Sequence, residues 1–185
     1  MRFTRERLER LLQPRDHDLF AQLSAAYAEP HRAYHTAQHI DECLHHLDAS
    51  GEAAPEIELA LWFHDAIYDP KAHDNEARSA EWAAREVGEL AGTVERLILV
   101  TKHHLPAAED EKLLTDIDLS ILGAPPERFA EYERQIRIEY AWVPEDIYER
   151  ERAKVLQRFR ERKHIYSTTY FRDLLEAQAR RNLGA

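Results

Sequence analysis

Three short segments of the sequence carry histidines and aspartates of the types that bind metal ions. They are YHTAQHI (34–40), WFHDAIYDP (62–70) and KLLTDIDLSILG (112–123). Imidazole nitrogens and carboxylate oxygens are both good ligands for divalent metals, so a histidine, a His-Asp pair and a later aspartate would leave open positions for water and substrate. The candidate ligands are His39, His64, Asp65 and either Asp116 or Asp118. A single buried histidine is more often a hydrogen-bonded core residue, and that alternative stays open for His64 taken alone.

The elements that must bring these segments together are predicted to be helices. Apolar residues recur at helical spacing along nearly the whole chain, which is rich in Ala, Leu, Glu and Arg and has only five glycines. Thr4 and Thr36 are candidate helix caps, and Pro55 suits the first turn of the helix that points His64 toward the core. The predicted helices span about 4–13, 16–28, 36–49, 55–69, 75–90, 93–104, 113–122, 126–140, 144–163 and 169–182.

Length and charge narrow the class of protein. A chain of 185 residues with 44% hydrophobic residues can bury one core and is too short for two, so we expect a single all-α domain over 1–185. The segment from about 31 to 123 would hold the metal site, and the helices over 125–183 would complete the pocket. The formal net charge of −10 disfavours nucleic-acid polymers and anionic membranes as partners.

Other features favour a soluble, cytoplasmic protein. Cys43 is the only cysteine, which excludes an intramolecular disulfide. The first segment, MRFTRERLERLL, is too charged to form the apolar core of a signal peptide, and no apolar run is long enough to span a bilayer. These features leave the oligomeric state open.

The order of the motifs resembles a known family. His39, then His64-Asp65, then an aspartate in DIDLSILG is similar to the signature of the HD superfamily of metal-dependent phosphohydrolases, an all-α, phosphodiesterase-like helical bundle. YHTAQH also resembles the first motif of the cyclic-nucleotide phosphodiesterases in that class, and the resemblance runs from about residue 35 to 123. DLSILG resembles the Asp-Leu-Ser of the phosphodiesterase motif, which favours Asp118 over Asp116 as the last ligand. Asp116 would then cap its helix or support a ligand.

The resemblance implies hydrolysis of a phosphoester in a nucleotide or a similar small phosphorylated metabolite. A divalent transition metal, Mn, Fe, Co, Ni or Zn, would be the cofactor, and metal-bound hydroxide would attack phosphorus. In the phosphodiesterases the earlier histidine of the first motif donates a proton, so His35 would protonate the leaving oxygen without binding the metal. The alternative for His35 is a hydrogen bond at the start of the helix.

Further polar residues are candidates for supporting roles. In VTKHHLP, His104 shares a helical face with Leu97 and Thr101, which favours it over His103 as a second-metal ligand or a substrate contact. A surface or capping role is the alternative for His104. Glu76 could orient water or a ligand, although acidic residues are common in a first turn because of the helix dipole. Three cations could bind phosphate, although most such residues are simply solvated: Lys102, Arg78 and Arg152.

Two other function classes fit the same residues. One is an HD-type di-iron oxygenase, because some HD proteins hold two irons with additional histidine ligands and use them for oxidative cleavage. The other is a non-catalytic module that binds a nucleotide or a metal.

Four further histidines are expected at the surface: His45, His46, His73 and His164.

Overall fold

The chain is helical wherever it forms regular structure within the residues that are described. The structure is a computed structural model that describes residues 1–52 and 54–184, and it contains no strand over these residues. This confirms the all-α prediction. The chain consists of two compact units, Met1–Asp118 and Leu119–Ala185. No helix among the described residues is both long and apolar enough to cross a membrane.

The first unit is built around its fourth helix. Its helices are α1 (Arg5–Glu9), α2 (Leu19–Ala26), α3 (Ala37–Ser50), α4 (Pro55–Phe63), α5 (Asn75–Glu86), α6 (Ala91–Val100) and α7 (Glu109–Asp118), with a 3-10 turn at Gly88–Leu90. Most side chains of α4 are buried, and α4 packs against α3, α5, α6 and α7. A helix that is apolar nearly all round belongs at the centre of a domain, because each face then meets a neighbouring helix.

The second unit contains the remaining helices. They are a 3-10 segment (Leu119–Gly123), α8 (Pro126–Glu139), α9 (Glu145–Arg160), α10 (Thr169–Phe171), a π-helical segment (Arg172–Glu176) and α11 (Ala177–Leu183). The last three follow one another without a break, where the sequence predicts a single helix over 169–182. The Tyr166 hydroxyl donates to the Leu119 carbonyl at 3.1 Å, and Asn182 donates to the Leu122 and Ala124 carbonyls at 2.8 Å each. These bonds satisfy backbone carbonyls of the 3-10 segment and of the residue that follows it.

Several predicted helix ends are wrong, and side chains account for the differences. Asp18 caps α2 by accepting from the Ala21 amide at 2.9 Å, so that helix begins after residue 16. The Glu111 carboxylate accepts from the amides of Ala107 and Ala108 at 2.7 and 3.1 Å, which allows α7 to begin before residue 113. Thr4 precedes α1, but its side chain makes no capping hydrogen bond.

The helix that leads to His64 ends earlier than Pro70 requires. α4 stops at Phe63, so backbone carbonyls in the turn that follows lack the hydrogen bonds that a longer helix would give them. The guanidinium of Arg32 donates to the carbonyls of Asp65 and Ala66 at 2.6 and 3.0 Å. Arg32 therefore satisfies the groups left by the turn, and this long-range contact is not visible in the local sequence pattern.

Gly123 lies where the 3-10 segment meets the π-helical segment. A methyl group there would lie 2.6 Å from Leu175 Cβ and 2.9 Å from the Leu175 carbonyl oxygen. We expect Gly123→Ala to destabilise the protein by about 2 kcal/mol, because backbone cannot shift cheaply to make room. Thermal unfolding should show a melting temperature lower by roughly 5 °C. Gly92→Ala is the control, since nothing lies within 4 Å of a methyl group there; equal losses in both variants would contradict the packing argument.

Candidate metal centre

The first unit brings the four predicted ligands together from three helix ends. His39 lies in the first turn of α3, His64 and Asp65 directly follow α4, and Asp118 is the last residue of α7. His39 Nε2 lies 3.1 Å from His64 Nε2 and 3.2 Å from Asp118 Oδ1. His64 Nε2 lies 3.1 Å from Asp65 Oδ2 and 3.5 Å from Asp118 Oδ1. We call these four residues the four-ligand cluster.

Hydrogen bonds on the far side of each imidazole determine which nitrogen faces the cluster. His64 Nδ1 lies 3.0 Å from the Leu61 carbonyl oxygen, which only accepts, so Nδ1 carries the proton. His39 Nδ1 lies 3.0 Å from the Tyr34 hydroxyl. In the neutral His64 tautomer, Nε2 presents its lone pair toward the carboxylates. Outer partners of this kind orient imidazoles at metal sites.

The cluster contains two carboxylates whose negative charges need a neighbouring positive charge, which is either a protonated imidazole or a bound cation. Burial opposes protonation of His64, but the carboxylates of Asp65 and Asp118 outweigh it and raise the pKa of His64 well above its usual value. Burial likewise opposes ionisation of Asp118, but the neighbouring imidazoles hold its pKa well below the usual range. A divalent metal would replace the His64 proton as the neutralising charge, so metal binding is expected to release a proton.

The donor set fits a divalent transition metal. Two nitrogens and two oxygens suit Mn, Fe, Co, Ni or Zn, whereas calcium and magnesium prefer ligand sets made only of oxygen atoms. His39 and His64 are almost fully buried, whereas the side chains of Asp65 and Asp118 keep 20% and 13% of their surface exposed. The carboxylate side of the cluster is therefore open to water and to a small ligand.

The alternative aspartate does not join the cluster. Asp116 is buried in the last turn of α7. Among the described residues, two groups have donor atoms close enough to share a metal, His39–His64–Asp65 and His39–Cys43–Asp118, and neither group includes Asp116. Two residues of helix rotate a side chain by roughly 200°, so Asp116 and Asp118 point in different directions. The predicted cap role of Asp116 is wrong, because α7 begins at Glu109.

His104 reaches the cluster by a route that differs from the predicted one. α6 ends at Val100, so His104 does not share a helical face with Leu97 and Thr101. Its amide donates to the Val100 carbonyl at 2.9 Å with a left-handed φ of 50°, a position that glycine usually occupies at a helix end. This turns His104 Nε2 to within 2.8 Å of Asp118 Oδ2, whereas His103 is exposed.

His35 lies next to a ligand without having ligand geometry. It precedes α3, and its ring centroid lies 6.2 Å from that of His39. Neither group of described residues with metal-binding geometry includes His35. The position is compatible with the predicted division of roles, in which His39 binds metal and His35 contacts substrate.

The other predicted site residues lie outside the cluster. Glu76 lies in the first turn of α5, and its Oε2 lies 3.8 Å from Lys102 Nζ, which also donates to the His73 carbonyl at 2.6 Å. Neither metal-binding group among the described residues includes Glu76, and Arg78 is exposed on α5. In the second unit, Arg152 forms an ion pair with Glu133 at 2.5 Å and lies over the Tyr132 ring. Their roles in catalysis or phosphate binding stay predictions.

One expectation about the remaining histidines is wrong. His45, His73 and His164 are exposed as predicted, whereas His46 is half-buried on α3. Burial, assisted by the neighbouring His45, lowers the pKa of His46 to about 4. The helical pattern missed this because His46 lies at the edge of the buried face of α3.

Arg32 and Cys43 are residues near the cluster that sequence reasoning missed. The Arg32 side chain is fully buried, and besides the two carbonyls after α4 it donates to the His35 carbonyl at 3.1 Å. Cys43 is one turn after His39 on α3, and its Sγ lies 3.8 Å from His39 Nε2. His39, Cys43 and Asp118 form a second group with metal-binding geometry. The spacing of four residues between His39 and Cys43 was the available signal for Cys43, whereas Arg32 follows no motif.

Comparisons with known proteins do not identify the chain. No model of a protein family, no curated protein and no solved structure matches it. The resemblance to the HD superfamily therefore stays a prediction from the motifs, and the geometry of the cluster is what supports a functional proposal.

Proposed function

We propose that the chain is a metal-dependent phosphohydrolase acting on a nucleotide or a similar small phosphorylated metabolite. The observation that carries this proposal is the four-ligand cluster. The distance between its two imidazole nitrogens, and the distances from these nitrogens to the carboxylate oxygens, lie between 3.1 and 3.6 Å. His39, His64, Asp65 and Asp118 would hold a metal that accepts more than four ligands with positions left for water and substrate, which a catalytic site needs and a closed structural site lacks.

The residues of the chain divide the work of hydrolysis. A bound divalent metal supplies Lewis acidity and makes water a stronger nucleophile at neutral pH. Tyr34 and the Leu61 carbonyl hold the two ligand imidazoles in place through their Nδ1 atoms. His35, beside His39, delivers a proton to the departing oxygen of the substrate.

The role of His35 gives a prediction about leaving groups. His35→Ala should keep its metal and slow turnover by about 100-fold on an alkyl phosphoester, whose leaving oxygen needs a proton. The loss should shrink on a nitrophenyl ester, because nitrophenolate departs without one. Metal content and steady-state kinetics on both esters measure this. An equal loss on both esters, or loss of metal from the variant, would refute the proton-donor role.

An activity screen tests the proposed reaction as a whole. The purified protein is stripped with a chelator, reloaded separately with Mn, Fe, Co, Ni and Zn, and assayed against nucleotides and other phosphoesters. We expect phosphate release that depends on one or more of these metals and is absent from the stripped protein. A fully loaded protein that hydrolyses none of the substrates would contradict the proposal.

The second carboxylate oxygen of Asp118 favours one further candidate function. Oδ1 faces His39, whereas Oδ2 lies 2.8 Å from His104 Nε2. His39, Asp118 and His104 would hold a pair of metal ions, and two irons there would supply the oxidative chemistry of an oxygenase, whereas other divalent ions would supply that of a two-metal phosphohydrolase. Two irons per chain together with oxygen uptake would support the oxygenase. Phosphate release that continues without oxygen would support the hydrolase.

A further inference from the structure

Tyr68 packs against the residue proposed to donate the proton. It lies three residues after Asp65, and its ring stacks on that of His35 with centroids 4.1 Å apart and planes 27° apart. Tyr34 meets the same imidazole edge-on, with centroids 5.0 Å apart and planes at 81°. The His35 ring is therefore held between one ring that stacks on it and another that meets it at a right angle.

Neighbouring groups hold Tyr68 in turn. His31 Nε2 lies 2.7 Å from the Tyr68 carbonyl oxygen, and its ring is nearly parallel to the Tyr68 ring at 6.3 Å. The Arg32 guanidinium carbon lies 5.5 Å from the Tyr68 ring centroid, within the range of a cation–π contact. Both contacts come from the loop that also carries His35, so Tyr68 and that loop constrain each other.

Arg32 ties the backbones of the two segments together. Its buried guanidinium donates to the carbonyls of His35 and Asp65 at 3.1 and 2.6 Å, and its Nε donates to Glu29 at 2.9 Å. A buried guanidinium that satisfies carbonyls from two segments resists separation of either one, because the move would leave a charge without partners. The backbones that carry His35 and the Asp65–Tyr68 turn are therefore fixed relative to each other.

We propose that Tyr68 is a positioning residue that sets the orientation of the His35 imidazole toward the substrate. This inference rests on the proposed function, in which His35 donates a proton. Proton transfer needs the donor nitrogen within hydrogen-bond reach of the leaving oxygen, and an imidazole that can rotate spends less time there. Tyr68 contributes its stacked ring, and the backbone ties through Arg32 keep that ring opposite His35.

Kinetics on a matched set of variants test the positioning role. Tyr68→Leu removes the aromatic ring, whereas Tyr68→Phe keeps it. On an alkyl phosphoester we expect kcat of Tyr68→Leu to fall by about 10-fold with little change in KM, and Tyr68→Phe to recover most of that loss. The Tyr68→Leu loss should disappear when His35→Ala is also present, because the residue acts through His35. Additive losses in the double variant, or equal losses in the two Tyr68 variants, would overturn the inference.

A spectroscopic measurement separates this inference from the proposed function. In the zinc-loaded protein, ring protons of His35 should show an upfield ring-current shift that Tyr68→Phe keeps and Tyr68→Leu removes. Metal content should be equal in all three proteins. An intact shift in a wild-type protein without any phosphohydrolase activity would overturn the proposed function. Normal wild-type activity that Tyr68→Leu leaves unchanged would overturn the positioning role.

Discussion

Replacing His64 by alanine should leave the protein without bound metal and without hydrolase activity. His64 supplies one of two nitrogen donors in the four-ligand cluster, and its Nε2 lies within 3.5 Å of His39, Asp65 and Asp118 atoms alike. Removing it leaves one nitrogen and two carboxylates, and we expect the affinity for metal to fall by at least about 100-fold. Elemental analysis of the purified variant measures the metal, and assays with added metal measure the activity.

Two controls separate loss of a ligand from loss of the fold. His64 is almost fully buried, so alanine also leaves a cavity, whereas His64→Gln fills most of that volume without an imidazole. His103→Ala removes an exposed imidazole from the loop beside His104 and should keep full metal content. Metal should raise the melting temperature of the wild type by linkage and should not raise that of either His64 variant. Undiminished metal in His64→Gln would remove His64 from the ligand set.

The positions of three candidate ligands, His39, His64 and Asp65, were predictable because their helices begin at residues with a local signal. Thr36 caps α3 by accepting from the Gln38 amide, as its position before the apolar pattern predicts, and this places His39 in the first turn. Pro55 begins α4, which delivers His64 to the core side. Local signals of this kind set the direction of a side chain within one or two turns.

The surroundings of the ligands were not predictable, because they depend on contacts between distant segments. Arg32 closes the turn after α4 from more than 30 residues away, and no local pattern distinguishes it from a solvated arginine. His104 turns toward Asp118 through a left-handed backbone conformation, which a non-glycine residue adopts at a cost of about 1 kcal/mol. Helical periodicity favoured His104 over His103 because it assumed that the helix continues to residue 104, whereas α6 ends at Val100.

Replacing Asp118 by asparagine should abolish metal binding, whereas the same change at Asp116 should not. Asp118 Oδ1 lies 3.2 Å from His39 Nε2, and its carboxylate carries one of the two negative charges of the cluster. An amide of nearly the same size lacks that charge, so we expect the metal affinity of Asp118→Asn to fall by about 100-fold or more. Asp116→Asn alters a buried group outside the cluster and should lower the melting temperature while keeping the metal.

The comparison of the two asparagine variants is decisive because size and helix position are nearly matched. Both aspartates lie in the last turn of α7, so a general loosening of that turn would affect both variants alike. Metal content after exhaustive dialysis, and melting temperature with and without a chelator, should separate them, since only Asp116→Asn keeps a chelator-sensitive melting temperature. If Asp116→Asn contained no metal and Asp118→Asn kept its full metal content, the ligand would be residue 116. α7 would then have to rotate by roughly 160 to 200° in the metal-bound protein, while His39, His64 and Asp65 would keep their assignments.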